Sequence, residues 1–171
     1  MRSRTIDLDG PVHYADFGGT GPTLVLVHGL GGSHVNWLAV APVLARRARV
    51  LAVDLAGFGR TPLGERSADV HANRVLLDRF LDAVAAGPAV LVGNSMGGLV
   101  AMMEAALAAV TVPTLVIHGR DDPLVPVEAG LDTAEAVPGA ELLVIDGMGH
   151  DLPRALWPRI IDRISALTAR A

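Results

Sequence analysis

The sequence predicts an α/β fold, a mostly parallel sheet with helices on both faces, and three observations carry that reading. Continuous apolar, β-branched runs recur along the chain, segments of helical period separate them, and glycine-rich turns follow most of the runs. The chain opens with alternating residues from Arg4 to Leu8, a tight Asp9-Gly10 turn and a second strand from Val12 to Phe17, which together read as an antiparallel hairpin. FGGTGP at 17–22 is a loop. TLVLVHG at 23–29 lacks alternation, the mark of a strand covered on both faces. The same pattern returns at 49–54, 89–93, 114–118 and 141–146, with helical segments at 35–47, 68–86, 96–109, 127–136 and 153–168. No repeat or linker interrupts the series, so residues 1–171 are expected to form a single domain.

Composition removes several function classes. The chain has 171 residues, with 14 basic and 18 acidic side chains for a net charge of −4, so no basic stripe is available to follow a phosphate backbone and no nucleic-acid partner is expected. Every basic residue is Arg, which removes a lysine Schiff base and a Walker-type phosphate loop. With no cysteine there is neither a disulfide nor a thiolate nucleophile or zinc ligand. The start, MRSRTIDLDG, has no signal-like apolar stretch and no run is long enough to span a membrane, so a cytoplasmic location is expected. A hydrophobic content of 51% and a mean hydropathy of +0.43 point to apolar surface that needs a cover or a partner.

Gly93-Asn94-Ser95-Met96-Gly97 follows an apolar strand and opens a helix, the context in which G-x-S-x-G carries meaning. A strand that reverses into a helix within a few residues strains the serine backbone. Flanking glycines remove the Cβ atoms that would clash, and the hydroxyl is projected at a helix N-terminus, where developing negative charge is favoured.

With these residues in place, the chain resembles the α/β-hydrolase family from the hairpin at residue 4 to the last helix near 168, and in particular its serine esterases. His28-Gly29-Leu30-Gly31-Gly32 is similar to the family's oxyanion segment, and the resemblance implies that the backbone N–H groups of Leu30 and Met96 form the oxyanion hole. Gly29, Gly31, His34, Leu124 and Val125 are the candidate substrate-lining residues. Asp54-Leu55-Ala56-Gly57-Phe58-Gly59 is similar to a D-x-x-G-x-G loop to which we assign a structural role. HGRDDPLVP at 118–126 looks like the acid loop, with Asp122 at the expected position and Asp121 as its competitor. Gly147-Met148-Gly149-His150 matches the histidine segment, which makes His150 the implied general base. Of the other histidines, His28 and His118 end strands and are expected to make structural hydrogen bonds. His34 is placed near the mouth or on the surface, and His13 and His71 read as surface or edge residues. No pair has metal-ligand spacing with a carboxylate, so neither a metal nor another cofactor is expected.

The chain departs from the family between Gly97 and Thr114, where only the helix after the elbow fits. The strand and helical cap that family members carry there are missing, which makes this a minimal, cap-less core with a junction near Ala108-Ala109-Val110-Thr111. The resemblance implies a Ser-His-Asp esterase that cleaves small carboxylic esters through an acyl-enzyme. The alternatives are thioester hydrolysis, perhydrolase or cofactor-free haloperoxidase activity, and a triad-bearing scaffold or ligand-binding protein with little turnover. An uncapped apolar surface around 99–112 and 124–127 further suggests a homo-oligomer.

Overall fold

A computed structural model describes residues 1–85, 87–107 and 113–170, with side chains described outside 104–107. The junction near 108–111 therefore lies outside the described residues. The chain divides into two compact units, Met1–Ala108 and Ala109–Ala171.

In the first unit, β1 (Arg2–Asp7) and β2 (Pro11–Gly18) form the expected hairpin, with Asp9 and Gly10 both at positive φ, 58° and 114°. Asp9 tolerates this conformation as few non-glycine residues do. The Asp7 carboxylate accepts the Gly10 N–H at 2.8 Å and ties the turn to the strand before it. β2 then runs antiparallel to β4 (Arg49–Val53), beside which β3 (Thr23–Val27) and β5 (Ala89–Gly93) lie parallel, giving the order β1-β2-β4-β3-β5. β3 is flanked on both sides, and Leu24, Val25, Leu26 and Val27 have no exposed surface. That accounts for a run without alternation.

Helices cover both faces of this sheet. α2 (Val70–Val84) begins at Asp69, whose side chain accepts the Ala72 N–H, and α3 (Met96–Leu107) leaves the end of β5. Leu76, Leu77 and Phe80 of α2 and Val100 of α3 pack with Val25, Val27, Leu51 and Val53 in one buried cluster. The alternate residues Leu24, Leu26, Val50 and Ala52 face the other way and are buried too. The helix expected over 35–47 is broken there into a 3-10 turn at His34–Trp37 and α1 (Ala41–Leu44), with Pro42 in the first turn of α1. Proline fits a first turn and breaks a helix interior, so one continuous helix through residue 42 is disfavoured.

In the second unit, β6 (Leu115–Gly119) and β7 (Glu141–Ile145) pair in parallel, with α4 (Val127–Ala136) crossing between them. Gly130 of α4 lies against His118 so closely that a Cβ there would fall 2.7 Å from the imidazole Cδ2. A 3-10 turn at Arg154–Leu156 leads into α5 (Trp157–Thr168), which buries Ile160, Ile164 and Leu167 at helical spacing. Among the described residues no helix is long and apolar enough to cross a membrane.

Candidate active site

The first unit holds the serine. Ser95 sits between β5 and α3 at φ 52°, a left-handed conformation that costs a non-glycine residue about 1–3 kcal/mol and persists only where its surroundings impose it. Those surroundings are close backbone approaches. A Cβ on Gly97 would collide with the carbonyl oxygens of Val27 and His28, and one on Gly93 with the Gly97 carbonyl, so glycine is the residue that fits at both positions. The Asn94 N–H donates to Val27 O at 3.0 Å and the Leu99 N–H to Ser95 O at 3.1 Å, which fixes the turn to β3 and to the first turn of α3. Ser95 is exposed and its side chain stands at the helix N-terminus.

The segment after β3 lies against this turn. A Cβ on Gly29 would meet the Ser95 Cβ at 3.1 Å, which places Gly29 beside the serine. Gly31 has φ 71° and the Leu30 side chain is 75% exposed, so no side-chain packing holds the middle of the segment. His28 anchors its start. Its Nε2 accepts the Leu55 N–H at 3.0 Å, which fixes the tautomer in which Nδ1–H donates to Gly29 O at 2.7 Å. Burial pushes the His28 imidazole below its ordinary value, so the ring is neutral, as this donor-acceptor pattern requires.

In the second unit, Asp122 and His150 meet. His150 Nδ1 lies 2.8 Å from Asp122 Oδ2, and Asp122 Oδ1 accepts the N–H groups of Leu124 at 2.8 Å and Val125 at 3.0 Å. Burial opposes ionisation of Asp122, but the Val125 amide, the His150 ring and the Leu124 amide outweigh it and lower the carboxyl to about 2. A carboxylate on Nδ1–H leaves the acceptor lone pair of the imidazole on Nε2. Asp121 does something else. Its Oδ2 accepts the Gly147 N–H at 3.0 Å and its own N–H donates to Met148 O at 3.1 Å, so it braces the histidine loop against the acid loop. Leu124 is exposed, and with Val125 it serves Asp122 through the backbone.

Two histidine expectations are corrected. His34 turns inward instead of lining a mouth, and His13 is buried instead of lying at a surface edge, because both gather on Asp54. Asp54 Oδ1 accepts the His34 N–H at 2.6 Å. Its Oδ2 accepts the Arg60 N–H at 2.9 Å and lies 2.8 Å from His13 Nδ1, while His34 Nδ1 is 3.0 Å from both oxygens. Burial of Asp54 disfavours its charge, and the His34 and Arg60 amides with the two rings more than offset that, holding its pKa below the ordinary value. Tertiary pairing hides this cluster from local sequence. β2 runs antiparallel to β4 with Tyr14 opposite Val53, and the Asp54 N–H donates to His13 O at 3.0 Å. The signal available was Asp54 ending an apolar strand where a charge needs partners.

Two imidazoles and a carboxylate within 4.8 Å of one another are a donor set that transition metals accept. Here the Nδ1 atom of each ring already lies on the carboxylate, His13 Nε2 is taken by Ser3, and two backbone amides occupy the same oxygens. The arrangement fits a hydrogen-bonded brace better than an ion. His28 and His118 end strands as expected, His118 Nδ1 lying 2.8 Å from Gly119 O, and His71 is exposed.

Comparison with known proteins gives a match to the family described as alpha/beta hydrolase fold over residues 22–111, and to one described as TAP-like protein over 98–155. The chain is 40% identical over 121 residues to a 2-hydroxymuconate semialdehyde hydrolase of a Pseudomonas species, covering 67% of this chain and 42% of that protein. It is 42% identical over 83 residues to a pimeloyl-[acyl-carrier protein] methyl ester esterase of Aeromonas hydrophila, covering 48% of this chain and 32% of that protein. The chain thus spans less than half the length of these curated relatives. A crystal structure of a meta-cleavage product hydrolase from Pseudomonas fluorescens superposes with a TM-score of 0.85 at 18% identity, covering 94% of each chain. That likeness concerns the fold.

Proposed function

The chain belongs to the alpha/beta hydrolase fold family, and from that premise we propose that it is a serine hydrolase of small carboxylic esters. The observation that carries the proposal is Ser95 held at φ 52° between two positions where only glycine fits, the backbone signature of an activated nucleophile turn. In the proposed reaction the Ser95 hydroxyl adds to the ester carbonyl carbon while His150 takes its proton and Asp122 stabilises the imidazolium. The N–H groups of Leu30 and Met96 receive the oxyanion. Collapse of the tetrahedral adduct expels the alcohol, protonated by His150, and leaves an acyl-serine. Water, deprotonated by the same histidine, then releases the acid and restores Ser95. Because only seven residues (108–114) separate α3 from β6, too short a stretch for a helical cap, we expect short-acyl esters with weak discrimination among them.

Fluorophosphonate labelling read by mass spectrometry tests the proposal. The expected result is a single adduct on Ser95, and absence of labelling would establish an inert scaffold in its place. A second reading, hydrolysis of a 2-hydroxy-6-oxo-dienoic acid, is favoured by relatives whose names give such substrates. It predicts that such an acid is turned over faster than p-nitrophenyl acetate.

The pH profile follows from the acid-base pair. Asp122 stays ionised down to about 2, so its protonation produces no loss of rate at mildly acidic pH. A histidine base must be neutral to accept a proton, and turnover is therefore expected to fall on acidification while Asp122 is still ionised. A rate that stays flat to about pH 4 would mean that no histidine acts as base.

A further inference from the structure

We propose that Asp54 is a positioning residue for the oxyanion segment, acting through His34. This rests on the serine-hydrolase reading and adds a role that the D-x-x-G-x-G loop was not given on sequence grounds. Asp54 directly follows β4, whose Val53 pairs with Val27 of β3, so the carboxylate stands beside the start of the oxyanion segment. It then reaches the far end of that segment at His34, whose N–H it accepts at 2.6 Å and whose ring lies at 3.0 Å.

The two carboxylate oxygens divide the work. Oδ2 is tied to the rest of the unit, by His13 from β2 and by the Arg60 amide from the loop after β4. His13 is itself fixed. With Nδ1–H donating to Asp54, its Nε2 accepts the Ser3 hydroxyl at 2.7 Å. Oδ1 accepts the His34 N–H, and the His34 ring lies against both oxygens. Asp54 has no exposed surface, and water therefore cannot replace any of these bonds.

The segment between the two anchors has little else to hold it. Gly31 takes positive φ and Leu30 projects into solvent, so the pitch of the Leu30 N–H depends on the ends. One end is His28, bonded to Leu55 and Gly29. The other is the turn at Ser33, where the Gly32 N–H reaches Gly29 O at 3.1 Å and Ser33 and Asn36 cap each other, and Asp54 fixes that turn through His34. An oxyanion donor acts at the position that oxygen takes in the transition state, where small misplacement is costly, whereas substrate binding before that point depends on it little.

The variants that test this are Asp54→Asn and His34→Ala. Asparagine keeps the shape of aspartate but supplies one acceptor oxygen and turns an NH2 toward N–H donors. Both variants are assayed with p-nitrophenyl acetate, and active sites are counted by fluorophosphonate labelling, so that kcat is expressed per reactive serine. Asp54→Asn is expected to lower per-site kcat about 10- to 100-fold, a fraction of what losing an oxyanion donor costs, with KM changed less than about 3-fold. His34→Ala keeps its backbone N–H and is expected to lose about 3- to 10-fold, again in kcat. If Asp54→Asn does not fold, His34→Ala alone decides. A purely structural role would reduce the number of labelled sites and leave per-site kcat at the wild-type value, and that result in the folded variants overturns the inference alone. A wild-type protein that neither labels nor turns over ester overturns the serine-hydrolase reading and this inference with it.

Discussion

Ser95→Ala is expected to reduce ester turnover by about a million-fold while the protein remains folded, because in a nucleophile-base-acid unit the loss of the attacking atom removes nearly all the catalysis the unit supplies. The fold is expected to survive because the change leaves the backbone demands untouched. Serine already occupies a left-handed position that alanine enters at similar cost, and the close approaches that shape the turn belong to Gly93 and Gly97. Ser95 is exposed, so shortening it opens no cavity. Hydrolysis of p-nitrophenyl acetate and a thermal melt by circular dichroism together check both halves of the expectation. More than a few per cent of residual turnover would assign the attack to another residue.

Asp122→Asn is expected to cost about ten thousand-fold in kcat, and Asp121→Asn no more than a few-fold. The two carboxylates are adjacent in sequence and differ in what they hold. Asp122 receives the His150 Nδ1–H at 2.8 Å, while two backbone amides keep its other oxygen in place. An amide at that position satisfies the two backbone donors and presents its NH2 to the ring, which favours the tautomer with the proton on Nε2. A base already protonated at its working nitrogen cannot accept from serine. Asp121 holds the Gly147 amide at an exposed site, a bond that an asparagine oxygen can also accept. Steady-state kinetics of the two variants give the ranking, and the reverse order would transfer the acid role to Asp121.

Local pattern and long-range pairing account for what was legible in the sequence. Each apolar run became a strand within a residue or two of its expected limits, since a strand buried on both faces must be apolar at every position, and β3 shows the rule at its fullest. The serine turn and the acid loop were legible for a related reason: their glycines answer to close backbone approaches, at Gly97 against Val27 and at Gly119 against Met148, while in the histidine loop Gly147 answers to a positive φ of 75°. The Asp54 cluster was not legible. His13, His34 and Asp54 stand far apart in sequence and meet because β4 lies between β2 and β3, pairings that no local period encodes. The helix expected over 35–47 failed on a local conflict instead, with Pro42 inside a segment whose apolar spacing otherwise suited a helix.

The place of β3 between β4 and β5 also sets a timetable for synthesis. Both its neighbours are made after it: β4 is complete at residue 53 and β5 at residue 93. A ribosome adding about 5–20 residues per second takes about 3–13 s over the 66 residues (93 − 27) from the end of β3 to the end of β5. Throughout that interval one side of β3 exposes unpaired amides and carbonyls beside a run of leucines and valines, the combination most prone to pairing with a strand of another chain. Slower translation of that stretch lengthens the exposure, and pairing with another chain is expected to rise with it.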